Sequence, residues 1–466
     1  MSRRLPVTPA PEPLEAYIEH FDPLFSRRNQ RDAFRRYLEG LLLPAERNKT
    51  LTALANTEPV VGAQHRRAQG LQWFLSESSW EPKAINGERL RLLRSDATSA
   101  PHGRGVLVID ESGDRKDGKK TAHVGRQYLA NLGKTDNGVV SVSSLWADEQ
   151  VYYPLEVEPY TPAPWFARGK SDPAFRTKPQ IAVTLVEQAV AAQWPMRAVV
   201  ADAFYGENET VGSGLRQLEV GYVLALKPSH GWWHPIEGIG SLAEVAEAAG
   251  WEATQRPGAW QAVTRRFRDG HDETWWALEG VAGPYGPEKP QRAVIVTTDP
   301  LELPALTTWY LVTNLPAAGS ERAARSAREP ASLDEIVRLY GLRMWVEQSY
   351  KQVKQALGWA EYQVRSDLAI RRHWTLVWCA FSFCWWHVGL AAWEAPPGWR
   401  QDAETPVSEG ARPEEAMGWG KKSAGNRTTA ARRVLAGSVA QGTSLVGAVA
   451  HAQALLASVV AIAPAC

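Results

Sequence analysis

The spacing of apolar residues changes character several times along the chain. From the start to about residue 100 it is helical. Pro13 to Phe25 is amphipathic, and Arg27 to Leu43 follows, with Arg27, Arg28, Arg31, Arg35 and Arg36 beside Phe34, Tyr37 and Leu38. Further helices carry Arg66, Arg67, Arg89, Arg91 and Arg94. From Gly105 to Lys227 short strands and helices alternate: strands at His123–Leu129, Val139–Trp146 and Tyr222–Leu226, helices at Pro179–Gln193 and around Val211–Glu219. Between Ser229 and Arg328 the runs Trp260–Phe267, Thr274–Leu278, Arg292–Thr298 and Trp309–Thr313 are rich in β-branched and aromatic residues and separated by Gly/Pro turns, a β-rich region.

Two apolar runs end in an aspartate. Val106-Leu107-Val108-Ile109 delivers Asp110, and Ala198-Val199-Val200-Ala201 delivers Asp202, each with a glycine close behind. Each reads as a buried strand presenting a carboxylate before a turn. A turn-forming aspartate has the same appearance when taken alone.

Ser332 to Gly358 reads as one helix, opened by a capping box of Ser332 and Glu335 and stopped at Gly358. Leu339, Leu342, Val346, Tyr350, Val353 and Leu357 form its apolar stripe. Tyr340, Arg343, Glu347, Lys351 and Lys354 fall within about 80° of one another, along roughly 21 Å of helix. A solvated face with ordinary i,i+4 ion pairs would look similar. Together with the two aspartates, Glu347 makes a three-carboxylate set, and converging carboxylates require a counter-charge such as divalent metal.

Trp374 to Trp393 is uncharged and about long enough to span a bilayer. Ser382, His387 and Gly389 within it, its place directly after the Glu347 helix and the lack of a second span favour a buried helix packed on the sheet. Beyond Glu394 the chain is Pro-, Gly- and charge-rich to Arg433, a linker; Val434 to Cys466 has no charge and predicts a terminal helix.

Composition changes this picture little. In 466 residues, Lys+Arg number 52 against 51 for Asp+Glu, so any basic footprint is local. Cys379, Cys384 and Cys466 make neither a disulfide framework nor a zinc pattern, consistent with a reduced, cytoplasmic protein. Twenty-one tryptophans supply surfaces suited to packing or to stacking on bases. His230 and His234 are four apart, but Gly231 and Pro235 predict a loop and no metal role.

Tyr340-x2-Arg343-x3-Glu347-x6-Lys354 resembles the YREK motif of insertion-sequence DDE transposases, with Asp110 and Asp202 at the places of that family's two aspartates. The surrounding "IDESGDRKDGKKTAHVGRQY" and "ADAFYG" are similar as well, and the resemblance covers Gly105 to about Trp386. It implies an α/β fold: a ribonuclease-H-like mixed sheet core at 101–228 and 332–395, interrupted by a β-rich insertion at 229–331. A helical DNA-end recognition domain at 1–100 precedes the core, and a linker and C-terminal helical tail at 396–466 follow. On this view, removal of residues 1–95 leaves the core folded.

The resemblance also implies Asp110, Asp202 and Glu347 as both catalytic residues and metal ligands, holding two Mg²⁺ or Mn²⁺ ions. Tyr340, Arg343 and Lys354 would hold phosphates, with Lys351 on the same face, and an insertion tryptophan such as Trp309 would contact DNA beside Arg265, Arg266 and Arg268. The implied substrate is double-stranded DNA, both element ends and target, cut and rejoined by a homodimer on the bacterial nucleoid, with no membrane involved. A transposase descendant kept as a DNA-binding protein and a metal-dependent nuclease with the same core are the alternatives.

Overall fold

The run Val106–Ile109 opens β1 (Val106–Arg115), and the sheet is built outward from it. The computed structural model describes residues 6–43, 47–234, 238–267, 270–282 and 291–394. The expected linker and C-terminal tail therefore lie outside the described residues. β1 pairs antiparallel with β3 (Lys134–Ala147) on one side and parallel with β5 (Ala198–Ala201) on the other. β3 also pairs with β2 (Gly125–Leu129) and with β4 (Tyr152–Tyr160). β6 (Tyr222–Ala225) runs parallel beside β5. The resulting order β4-β3-β1-β5-β6 is a mixed sheet compatible with a ribonuclease-H-like core. β5, β6 and the first four residues of β1, Val106–Ile109, are continuous apolar runs, as strands buried on both faces are. The helix Lys178–Ala191 covers this part of the sheet, its first turn fixed by a capping box between Thr177 and Gln180.

β4 is absent from the sequence reading. Pro154 and Pro159 obscure it there, yet among the described strands it pairs only with β3, and an edge strand tolerates proline.

The β-rich region forms, but it does not stand apart from the core sheet. β9 (Gln261–Arg266), β10 (Asp272–Ala282), β11 (Gln291–Thr297) and β12 (Thr308–Thr313) pair in sequence, and β12 adds antiparallel to β6 with Leu311 level with Ala225. One ten-stranded sheet results. A short hairpin, β7 (Gly231–His234) with β8 (Gly238–Ser241), lies outside it, so the expected loop at His234 is a strand. His230 Nδ1 lies 3.4 Å from Glu207.

The apolar segment after Glu347 becomes the helix Asp367–Glu394, whose residues from Ala369 to Trp385 are largely buried. It packs chiefly between the N-terminal helices Arg28–Leu42, Arg66–Ser76 and Pro82–Ser95, with one flank on β4. Among the described residues no helix is long and apolar enough to cross a membrane.

Charged residues lock this arrangement. The buried Arg372 guanidinium donates to the carbonyls of Leu75 (2.8 Å), Ser78 and Trp80 (2.6 Å). Arg89, fully buried, joins Ser382 Oγ (2.9 Å) to the Pro154 carbonyl (2.8 Å). Arg31 and Arg35 are also buried, and Arg35 pairs with Glu15 and Asp22. Several arginines expected on a DNA-reading surface are thus internal, while Arg27, Arg28, Arg36, Arg66 and Arg67 are exposed.

Candidate active site

Asp110 and Asp202 meet because β1 and β5 are parallel neighbours. Ile109 is level with Ala201, so Asp110 and Asp202 follow side by side; β5 ends there, whereas β1 runs on beside β3 to Arg115, so Asp110 lies within its strand and not before the expected turn. Asp110 is 7% exposed, and its Oδ1 accepts the Glu111 amide at 2.7 Å. Asp202 caps the short helix Ala203–Gly206, its Oδ1 accepting from the amides of Phe204 (3.1 Å) and Tyr205 (3.4 Å). That turn lies flat on β6: a Cβ on Gly206 would stand 1.9 Å from the Ala225 carbonyl oxygen, so only glycine fits.

Glu347 arrives on a later helix, but not on the single one expected. Two helices, Leu333–Gly341 and Met344–Ala356, are joined by a turn at Leu342–Arg343. Ser332 caps the first, accepting from the Glu335 amide at 3.1 Å. The Glu335 carboxylate, expected to complete a capping box, instead binds Arg197 at 2.7 Å. Gly358, with φ 69°, stands just past the end of the second helix, as expected.

The break makes Arg343 the hinge of the site. Its Nη1 is 2.9 Å from Glu347 Oε1 and its Nη2 is 3.4 Å from Asp110 Oδ2. One guanidinium thus joins the strand carboxylate to the helix carboxylate.

The expected phosphate-holding residues divide. Tyr340 is buried beside Trp309 at the edge of this cluster, ring centroids 5.1 Å apart. Lys351 is exposed. Lys354 turns inward, donating to the Gly113 carbonyl at 2.9 Å and pairing at 2.7 Å with Asp114, which is 2% exposed. Sequence reasoning missed Asp114, and also Tyr350 as anything but core. The Tyr350 hydroxyl donates to the Asp110 carbonyl at 3.2 Å and bonds Ser143, the residue level with Asp110 on β3. Serines interrupting the apolar run Val139–Ala147 were the available signal.

Burial pushes the Asp110 carboxyl up to about 7; Arg343 opposes that shift, while Asp202 and Glu347 reinforce it by repulsion. Both other carboxylates therefore lie within electrostatic reach of Asp110. Burial likewise raises Tyr340 to about 12, so its hydroxyl keeps its proton at neutral pH. Arg343, surrounded by these acids, is raised still further as a cation.

An oxygen-only donor set of three carboxylates suits a hard divalent cation in kind. Among the described residues no three His, Cys, Asp or Glu side chains gather tightly enough to hold a metal ion. Arg343 carries the counter-charge in this arrangement.

Beside the site, Trp309 lies between aromatic and cationic neighbours. Its ring is 4.7 Å from that of Trp275, and the Arg265 guanidinium stands 4.8 Å over it. A cavity of about 620 Å³ opens along Trp309, Tyr310 and Tyr340. Arg266 is taken up by Asp272 at 2.8 Å, and Arg268 lies outside the described residues.

The chain belongs to the DDE superfamily endonucleases, whose family model matches residues 20–276, a span that includes Asp110 and Asp202 and ends before Glu347. Over 360 residues it is 31% identical to a protein of Microchaete diplosiphon described as a probable transposase for insertion sequence element IS701, covering 77% of this chain and 83% of that one. Membership of the superfamily makes the protein a DNA-cleaving enzyme and implies dependence on a divalent metal. Among solved structures, the NurA nuclease from Sulfolobus solfataricus aligns at a TM-score of 0.26 and 6% identity, over 60% of this chain and 96% of that one, too remote to inform the fold.

Proposed function

We propose that this protein is an insertion-sequence DNA transposase that cuts double-stranded DNA at the ends of its element and joins them to target DNA, using Asp110, Asp202 and Glu347 as one site. The observation that carries this reading is the Arg343 guanidinium shared between Asp110 and Glu347, with Asp202 on the neighbouring strand. The transposase relationship of the Microchaete protein supports the same conclusion.

With Arg343 drawn from Asp110 and Glu347 onto a DNA phosphate, the three carboxylates would close around Mg²⁺ or Mn²⁺, two ions per site. Bound there, the metal supplies the Lewis acidity that favours attack by water, and later by a DNA 3′-hydroxyl, on a phosphodiester. The chain's own groups position the DNA. Arg343 offers a planar fork that grips a phosphate at two oxygens once DNA competes for it. Tyr340, protonated at neutral pH, donates a hydrogen bond to the same strand. Trp309 offers an aromatic face to a base, and the exposed Lys351 adds charge along the backbone. Lys354 acts at one remove, holding Asp114 and the end of β1 in place. Joining two ends requires two active sites, so the working form is a homodimer assembled on the DNA, in the cytoplasm at the nucleoid.

The test is cleavage of DNA carrying the element's ends, with Mg²⁺ or Mn²⁺. Wild type should cut, whereas Asp110→Ala, Asp202→Ala and Glu347→Ala should bind the same DNA without cutting it. Undiminished cutting by any of the three would overturn the assignment of that residue.

A further inference from the structure

An arginine-lined cavity lies at the opposite end of the parallel strands β5 and β6 from the carboxylates. Tyr222 opens β6 level with Val199, three residues short of Asp202, or about 10 Å along the strand. There a cavity of about 600 Å³ is lined by Arg216, Arg322, Arg325 and Arg328. Two exposed glutamates, Glu219 and Glu321, share its lining, and Arg216 pairs with Glu209 at 2.8 Å, so Arg322, Arg325 and Arg328 carry the cavity's excess positive charge.

The floor of the cavity is built rather than incidental. Tyr222, 1% exposed, donates its hydroxyl proton to Gln291 Oε1 at 2.6 Å. The Arg216 side chain hydrogen-bonds the same hydroxyl, so the Tyr222 proton is directed to Gln291 and the amide presents its oxygen there. Its Nε2 is left buried with no hydrogen-bond partner among the described residues, and Gln291 as a whole is 5% exposed. The Nη1 of Arg322 is likewise buried and without a hydrogen-bond partner among the described residues. The charges of Arg216, Arg322 and Arg328 all reach the Tyr222 hydroxyl. Buried donors left without acceptors cost about 1–3 kcal/mol each, which an anion accepting from both would remove. Arginine forks and an amide N–H₂ around one concavity match the oxygens of a phosphate group.

We infer that this cavity binds a phosphate group, carried by a nucleic-acid backbone or by a free nucleotide or phosphate, at a site separate from the carboxylates. The transposase reading is not needed for it, since the donors alone define the ligand chemistry.

The full-length chain, an Arg322→Ala/Arg325→Ala double variant and an Arg325→Glu variant provide the test. Arg325 is exposed, so its reversal leaves the fold intact. Inorganic phosphate is titrated against each by thermal shift, and duplex DNA by fluorescence anisotropy across a salt series. At least an approximately tenfold loss of affinity in both variants, on either arm, supports the site. Loss on the DNA arm, with the salt dependence reduced by about one unit per contact removed, identifies the backbone as the source. Loss for phosphate alone identifies a free anion. Equal binding by all three proteins on both arms overturns the proposal.

Discussion

At the scale of single residues, the site is organised by which groups carry charge. Asp110 is the most buried of the three carboxylates, and the nearest cation to it is Arg343, which it shares with Glu347. A lysine there would keep the charge but would not reach two carboxylates from one planar head. Arg343→Lys should therefore lower the cleavage rate by roughly a hundredfold, measured in single-turnover assays, while leaving DNA binding within a few-fold. Nothing in the spacing of the motif announced that Arg343 would reach Asp110 as well as Glu347; pairing across 233 positions is set by the fold.

A second buried residue, His373, ties stability to pH. His373 is fully buried, accepts the Tyr37 hydroxyl at Nδ1 (2.8 Å) and faces the Gly358 carbonyl with Nε2 (3.1 Å). Those partners fix a neutral ring with its proton on Nε2. Burial pushes its pKa down from 6.5 to about 4. The unfolded chain then binds the extra proton more readily, so this contribution is intact above pH 6.5 and lost as pH falls toward 4. Its full size is on the order of 3 kcal/mol. Urea melts of the wild type against His373→Gln should show a stability difference that shrinks or reverses between pH 7 and 4.5. A constant difference would mean that the ring does not titrate in this way.

At the scale of elements, the strand-borne aspartates were legible because each ends an apolar run, and the helix-borne Glu347 because its helix has a clear apolar stripe. The turn at Leu342–Arg343 was not legible, since the apolar stripe continues through it without a proline. Because the helix is broken there, Tyr340 and Lys354 do not lie along one straight rod. Lys354 is instead part of the β1 end. Removing one partner of a buried ion pair strands the other, at a cost of about 3–5 kcal/mol. Lys354→Ala should therefore destabilise the protein by roughly 3 kcal/mol, and adding Asp114→Asn should recover part of that. Wild-type stability for Lys354→Ala, with only weaker DNA binding, would return Lys354 to the phosphate-holding set.

At the scale of the whole molecule, the sequence separates segments that the structure joins. The β-rich region was recognisable from its residues, but its attachment to β6 depends on backbone pairing that alternation does not encode. The N-terminal helices looked independent because their arginines suggested a solvent face. Buried Arg89 and the bond between Tyr37 and His373 show that they and the helix Asp367–Glu394 share a core. Deleting residues 1–95 should therefore yield an aggregating or unfolded chain, seen as loss of a cooperative thermal transition. A monomeric, cooperatively melting fragment would restore the picture of a detachable recognition unit.

The central claim is that Asp110, Asp202 and Glu347, far apart in the chain, act at one metal site. Iron(II) bound in place of Mg²⁺, given hydrogen peroxide as oxidant and ascorbate to regenerate Fe(II), cleaves the peroxide O–O bond to hydroxide and a hydroxyl radical that cuts the polypeptide close to the ion. Backbone cuts near residues 110, 202 and 347 together, suppressed by excess Mg²⁺ and lost in Asp110→Asn, are the predicted result. Cuts confined to other regions, or present at 110 and 202 but not at 347, would contradict it.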